Sequence, residues 1–520
     1  MTPARAALDR ATLAFVGVLL IATALRIWAL FVNPMGLGAD EAQYWLWSRT
    51  LDWGYFTKPP VVAWTIAATT SVFGDAEWAV RLGAPLAHFF AASFVFALGR
   101  SMYGAWPGFW SGVTWLLLPG VFFSSAIIST DALLLPLWAL ALLAMWRLIA
   151  TRSWTWAVLL GIAIGAGAMA KYAMLYFVLC TALAAWWLPP ARAALAKGRG
   201  AVAALIAALI ITPNVLWNVH HGFATARHTL ANARLQGGRS FNLGEAAEFL
   251  SGQFGVIGPV VCLALIWIIW RVARRWKGAS DEDKFLLAFI APPMIFVTII
   301  AFISRANANW AAVAYPAITV WVAGSLFASP PGRRVLALSS GVNLAMGVTF
   351  ALIIGFMPAT ANHFKNVRTA QAWDQTAHEI ARRAAPQPGE APFTAVLVDD
   401  RDTFFELSYY WRDARRAGTP LPPLRMWRLY ADAYNFAEAS DPMRPQEGGR
   451  VLAVHLNPSY LPFVAGDFTV FRTVEHLRVP LGGDYNRELE ISVGEGFAPV
   501  ARDAAFLARV RHTHDPQDGS

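Results

Sequence analysis

Long apolar runs, each close to the ~20 residues that a helix needs to cross a bilayer, fill the first two thirds of the chain and leave little choice of fold. They fall at about 11–32, 78–99, 107–124, 131–149, 154–170, 172–188, 200–217, 252–270, 285–303, 310–328 and 334–356. Hydrocarbon offers no partner to a backbone N–H or C=O, so such runs cross it as helices. The expected fold is a polytopic α-helical membrane protein with about 11 transmembrane helices and a small C-terminal α/β domain outside the membrane. Composition agrees: 57% of residues are hydrophobic and 14% charged, against about 25% charged in soluble domains. The 24 Trp suit a chain with many membrane–water interfaces. Arg5 and Arg10 precede a first run that is too long for a signal-peptide core and has no clear cleavage site, so it reads as a retained helix.

The loops orient the chain. With the N-terminus in the cytoplasm, the cytoplasmic loops carry Arg100, Arg147, Arg152, Arg192, Lys197, Arg199, Arg271, Arg274, Arg275, Lys277, Arg333 and Arg334, and the opposite short loops far fewer. That is the positive-inside pattern. An odd number of crossings leaves the C-terminal part on the other face. The domains are then 1–356, a transmembrane domain with a juxtamembrane segment at 33–77, and 357–520, an extracytoplasmic α/β domain. Within the first, 61–73 is apolar but short, and reads as a helix on the membrane surface. Within the second, 363–385 reads as an amphipathic helix, 393–398, 451–455 and 468–474 as strands, and 402–412 as a helix. Turns are expected at 386–389 and 418–423, and a frayed polar tail at 512–520. The net charge of +9 is spread over short loops and does not argue for nucleic acid. The 2 cysteines, Cys180 and Cys262, lie in apolar runs and exclude a disulfide framework.

The outer face collects the residues with chemistry. Asp40 and Glu41 sit among aromatics just past the first run, with Tyr44 following. A carboxylate there suits a general base toward a hydroxyl, and Asp40 also suits a helix N-cap. Lys58, before Pro59-Pro60, is placed to meet a phosphate or a lipid headgroup. Asp131 starts a helix and could orient a substrate. Lys171-Tyr172 interrupts an apolar stretch, where a charge is costly unless it has a partner. Arg26 and Arg81 either snorkel to the surface or meet an anionic ligand, and for Arg26 snorkelling is expected. The segment Pro213–Gly222 supplies Asn218, His220 and His221, with Arg227 and His228 beyond. As a metal site it is poor, because adjacent histidines cannot share a helix face. No nucleotide-binding loop or metalloprotease motif stands in its proper context.

Asp40-Glu41-Ala42-Gln43-Tyr44, Tyr55-Phe56-Thr57-Lys58-Pro59-Pro60, Ser129-Thr130-Asp131, Ala170-Lys171-Tyr172, Pro213–His221 and Asn309-Trp310 occur in a set order. Together they resemble bacterial inner-membrane glycosyltransferases of the C-type fold, the relatives of protein O-mannosyltransferases and of the aminoarabinose and galacturonic acid transferases of lipid A. The resemblance covers the membrane region and, more loosely, the C-terminal domain. It implies a polyprenyl-phosphate sugar donor, a lipid, lipopolysaccharide or protein hydroxyl as acceptor, and a periplasmic site. It also implies Asp40 as acceptor-side base, Asp131 as the second acidic position, and Lys58 and Lys171 as donor-phosphate contacts. Glu41, Tyr44, Arg81, Tyr172, Asn218 and His221 complete the candidate substrate-binding set. The aminoarabinose enzymes tend to carry a glutamate just before Lys-Pro-Pro, where this chain has Thr57, so a metal ligand is missing. No cofactor is fixed, and a divalent metal is the one left open.

A glycosyl phosphate already carries a good leaving group. Such a site needs a base for the incoming hydroxyl and cations for the departing phosphate. With one candidate base and no paired nucleophile, a single inverting displacement is expected by analogy with glycosidases. The first rival is a transporter or lipid flippase, which would carry charges near the bilayer midplane and repeated halves. The charges gather instead at one face, and no internal symmetry is evident. The second rival is a non-catalytic assembly or sensing protein on the same scaffold.

Overall fold

A computed structural model describes residues 9–223, 225 and 241–513. The chain divides into two compact units, one of Met1–Asn33 with Leu51–Leu352 and one of Pro34–Thr50 with Ile353–Ser520. The segment 34–50, expected beside the membrane helices, thus packs with the C-terminal part. Arg227, His228 and the tail beyond 513 lie outside the described residues.

The first unit is helical. Among the described residues, 7 helices are long and apolar enough to span a membrane, or 8 if one bent pair is a single span. They include Arg10–Phe31, Thr130–Thr151, Arg199–His220 and Asp281–Ile303. Val61–Phe73, Trp154–Ala170 and Tyr172–Trp187 are apolar but shorter, so the expected count of eleven is not reached by length and apolarity alone. Exposure is inverted as lipid requires: Arg10–Phe31 leaves Leu20, Ile21, Leu25 and Trp28 uncovered and turns Phe15 and Leu19 inward. The helices Trp154–Ala170 and Arg199–His220 approach at backbone level. A Cβ on Gly161 would stand 2.6 Å from the Ala203 oxygen, and one on Gly165 2.7 Å from the Ile210 Cβ. This Gly-x-x-x-Gly face is the small-residue seam that lets membrane helices touch.

Several apolar runs are interrupted, and side chains take up the polar groups released there. The expected span at 252–270 is instead two helices, Leu243–Val256 and Pro259–Arg274, at 114° to each other. Pro259 has no N–H to continue the first helix, and Gly258 turns the chain at φ +89. Asn343 donates its side-chain amide to the Ile257 carbonyl at 3.3 Å. The expected span at 107–124 breaks at Leu118, ahead of Pro119. There Arg26 donates from Nη2 to the Leu116 carbonyl at 2.6 Å. Arg26 therefore serves the broken helix and does not snorkel, because a freed carbonyl inside the bundle competes for it with the surface. The run at 310–328 opens with a 3-10 turn, Ala308–Ala314, before Tyr315–Phe327. Gln253 donates Nε2 to the Ala308 carbonyl at 3.1 Å and accepts from the Tyr315 hydroxyl at 2.8 Å.

The second unit carries one sheet of five strands: β1 Ala395–Val398, β2 Leu424–Met426, β3 Arg450–His455, β4 Phe468–Gly482 and β5 Tyr485–Phe497. Their order is β2-β1-β3-β5-β4. β1 runs parallel to both β2 and β3, while β5 is antiparallel to β3 and β4. The amphipathic helix expected over 363–385 is two helices, Lys365–Thr369 and Trp373–Ala384, because Ala372 turns left-handed at φ 54. Buried Arg487 closes the break, donating to the Thr369 carbonyl at 3.0 Å, the Gln371 carbonyl at 2.8 Å and the Thr376 hydroxyl at 2.7 Å.

The bend at Gly258 is sterically full, since a Cβ there would stand 1.9 Å from the Asn343 side-chain oxygen. Gly258→Ala is expected to destabilise the protein by about 2–3 kcal/mol, from the left-handed backbone and the overlap together. A lowered thermal midpoint in detergent reads this out.

Candidate active site

In the membrane unit, Ser129 caps the helix Thr130–Thr151, accepting from the Ala132 N–H at 3.2 Å. Asp131 stands in its first turn, where the helix dipole favours a carboxylate. The helix Trp154–Ala170 ends where Lys171 becomes extended, at φ −161 and ψ 136. The Lys171 ammonium meets Asp131 Oδ1 at 2.6 Å, and Asn309 donates to Asp131 Oδ2 at 3.1 Å. The pair is half-buried, and the partner expected for an interrupting lysine is therefore Asp131. One of the three ammonium donors is used on this carboxylate, so the group remains able to bind an anion.

The next residue continues the network. Tyr172 donates to Asn214 Oδ1 at 2.6 Å and accepts from Asn218 Nδ2 at 3.1 Å. Asn214 in turn donates to the Trp53 carbonyl at 2.7 Å, which ties the loop before Lys58 to the helix Arg199–His220. Trp217 of that helix donates to Asp52 at 2.7 Å. His221 is exposed, stacks on Trp217 at 4.0 Å between centroids and donates Nδ1 to its carbonyl. Lys58 is half-buried, its carbonyl accepting from the Tyr55 N–H at 3.1 Å. Thr57 is buried. Arg81 ends the short helix Glu77–Arg81 and is fully buried, so it does not snorkel.

Asp40, Glu41 and Tyr44 belong to the other unit, on the helix Ala39–Trp47. Gly38, not Asp40, holds the N-cap position. Glu41 is buried and accepts from the Gly38 N–H at 3.0 Å, an N-terminal box that gives this carboxylate a structural duty. Tyr44 is buried against Trp47 at 5.4 Å. Asp40 points elsewhere: its side chain is 61% exposed, and Oδ1 accepts from Arg401 Nη2 at 2.5 Å. Arg401 follows β1, and its Nε also bonds Asp402 at 3.0 Å. Burial works against the Arg401 charge, but Asp40 and Asp402 more than offset it and raise its pKa. Beside it Asp400 caps the helix Arg401–Tyr410, accepting from the Asp402 and Thr403 N–H groups at 2.9 and 3.0 Å. Burial, with the neighbouring Asp402 charge, pushes its carboxyl up to about 6.

The structure thus joins Asp131 to Lys171, and Tyr172 to Asn218. It also adds Asn309 and Arg401, which sequence reasoning did not place in the set. Asn309 stands in one of the ordered motifs, so a signal exists for it. Arg401, between two acids at a helix start, looks like an ordinary solvated turn. Among the described residues, no group of three or more His, Cys, Asp or Glu side chains is arranged to hold a metal.

A family model described as dolichyl-phosphate-mannose-protein mannosyltransferase matches residues 57–217. The lipid A galacturonosyltransferase RgtD of Rhizobium johnstonii is 34% identical over 401 residues, 76% of this chain and 83% of that one. The chain belongs to this family of membrane glycosyltransferases. ArnT from Cupriavidus metallidurans bound to undecaprenyl phosphate superposes with a TM-score of 0.59 at 18% identity, covering 93% of this chain and 97% of that one. Its apo state gives 0.58 at 16% identity over the same shares. At these identities the likeness establishes the C-type glycosyltransferase fold. The family assignment also replaces the transporter reading, and the matched region holds Lys58, Arg81, Asp131, Lys171 and Tyr172.

In this glycosyltransferase, removing the Tyr172 hydroxyl takes the donor from the buried Asn214 side-chain oxygen and one of two acceptors from the Asn218 amide, which keeps the Asn214 carbonyl. Tyr172→Phe is expected to cost about 1–2 kcal/mol, measured as a lower thermal midpoint. Asp400 predicts a pH effect. A folded pKa near 6, above the ordinary carboxylate value, gives stability that is complete below about pH 4 and lost as pH rises through about 6. Asp400→Asn keeps the cap and should flatten that loss, by about 3 kcal/mol at neutral pH, in melts taken between pH 4 and 7.

Proposed function

We propose that the protein transfers a sugar of the galacturonic acid type from a polyprenyl phosphate to a hydroxyl of lipid A or a related glycolipid, on the periplasmic side of the inner membrane. The likeness over 401 residues to a lipid A galacturonosyltransferase carries this reading. The ArnT fold bound to undecaprenyl phosphate supports the donor class. The sequence pattern of basic loops supports the orientation, with the C-terminal unit outside.

In this reading Asp40 takes the proton of the acceptor hydroxyl as its oxygen attacks the anomeric carbon. The bond from that carbon to the phosphate oxygen breaks, and polyprenyl phosphate leaves with the electron pair. A single displacement inverts the anomeric centre. Lys58 and Lys171 bind the donor phosphate and meet the charge that grows on it as it departs. Asp131, fixed by Asn309, aims the Lys171 ammonium. Tyr172 and Asn218 shape the approach to that lysine, and Arg81 and His221 of the membrane unit, with Tyr44 of the other unit, complete the proposed substrate-binding set. Glu41 supports the helix that carries Asp40. No step requires a metal, although a divalent ion could assist the phosphate.

The test is transfer from labelled polyprenyl-phosphate galacturonic acid to lipid A by purified protein. Asp40→Asn is expected to lose at least about 100-fold in turnover, the usual share of a general base. Lys171→Met and Lys58→Met should each raise the donor KM by about tenfold or more and lower kcat as well. Equal turnover in wild type and Asp40→Asn would remove Asp40 as the base. Transfer of a different sugar only would overturn the donor class.

A further inference from the structure

The ion pair between Asp40 and Arg401 joins residues 361 positions apart, yet both belong to one compact unit. Three contacts fix the frame around it. Trp45 meets Tyr409 edge-on at 5.1 Å, Trp47 meets Phe436 at 5.8 Å, and the Leu37 N–H donates to the Tyr410 hydroxyl at 3.2 Å. The helix with Asp40 and the helix that begins at Arg401 are therefore held together by buried aromatics, independently of the charges.

An exposed ion pair adds only about 0–1 kcal/mol to stability. The Asp40 side chain is 61% exposed and that of Arg401 34%, so the pair is not needed to hold this frame. What it does is geometric. Asp402 grips the guanidinium at Nε, and Arg401 presents Nη2 to a single oxygen of Asp40. A planar cation steadied by Asp402 offers one placed donor that restricts the carboxylate, while most of that group stays open to an incoming hydroxyl.

We propose that Arg401, contributed by the C-terminal domain, is a positioning residue for the Asp40 carboxylate in glycosyl transfer. The proposal rests on the reading of Asp40 as the acceptor base. Arg401 limits the orientations that the carboxylate samples and so presents it to the acceptor hydroxyl in one arrangement. The other charged and titratable groups on the elements packed here include Glu41, Tyr44 and Arg49 on the Asp40 segment, Asp400, Asp402, Glu406, Tyr409, Tyr410 and Arg412 on or beside the helix after β1, and Glu438 on Phe436–Ser440. Among the described residues, Arg401 alone pairs with Asp40.

The experiment is steady-state kinetics and thermal melts of the full-length protein in detergent, using the polyprenyl-phosphate donor and lipid A, for wild type, Arg401→Met, Arg401→Lys and Asp40→Asn. Arg401→Met should lower kcat per folded protein by about tenfold, with donor KM within about twofold and little change in the thermal midpoint. Arg401→Lys, which keeps the charge but not the fork, should restore kcat only in part. A merely structural role would lower the midpoint and the folded fraction and leave kcat per folded protein unchanged. If Asp40→Asn is inactive and Arg401→Met keeps the wild-type kcat, the role of Arg401 is overturned and the base assignment survives. If Asp40→Asn turns over normally, the base assignment itself falls. Arg401→Lys carries the test if the Met variant does not fold: full kcat in that variant counts against the proposal.

Discussion

A polar backbone group withdrawn from water has to find a partner, and in hydrocarbon it has few to choose from. This constraint is visible at three places where an apolar run of this protein is interrupted. Arg26 takes the carbonyl left at Leu116, Asn343 the one at Ile257, and Gln253 the one at Ala308. The same device recurs in the C-terminal unit, where Arg487 takes the carbonyls at Thr369 and Gln371. Interruption matters because it frees a residue from helical geometry. Lys171 is extended where the helix Trp154–Ala170 ends, and its side chain meets Asp131 from a different helix.

The charges proposed to serve chemistry are treated differently from those that serve structure. Glu41 and Arg487 are buried and spent on backbone groups. Asp131 and Lys171 are paired but half-buried, and Asp40 is paired and open. A site that handles a phosphate and a hydroxyl needs groups that are oriented without being sealed, because the substrate must compete for them. Close packing supplies the orientation. The glycines at 161 and 165 bring two helices to backbone contact, and this sets Tyr172 beside Asn214 and Asn218.

Much of this is legible in the sequence. The apolar runs announce a membrane bundle, and Lys171 stands out because a charge in such a run is costly without a partner. The ordered motifs point to the right family. What sequence does not disclose is where a helix stops inside an apolar run when proline and glycine act together, as at Gly258-Pro259. Nor does it disclose pairing across the chain. Asp131 and Lys171 are 40 residues apart, and nothing local says that they meet. Arg401 sits in a helix start of mixed charge that looks fully solvated, and its partner lies far back in the chain. The strand Tyr485–Phe497 did carry a readable signal, with Leu489, Ile491 and Val493 alternating with Glu488, Glu490 and Ser492. Glu, Asn and Arg within it mask the pattern.

The helix Ala39–Trp47 is numbered with the membrane helices and folded with the C-terminal domain. That domain is therefore not a module that can be cut away at one point. A fragment starting at Ile353 would lack Trp45 and Trp47, leaving Tyr409 and Phe436 without the rings that cover them. Exchange of this domain between relatives would need two matched pieces, so its divergence is tied to that of the short segment bearing Asp40.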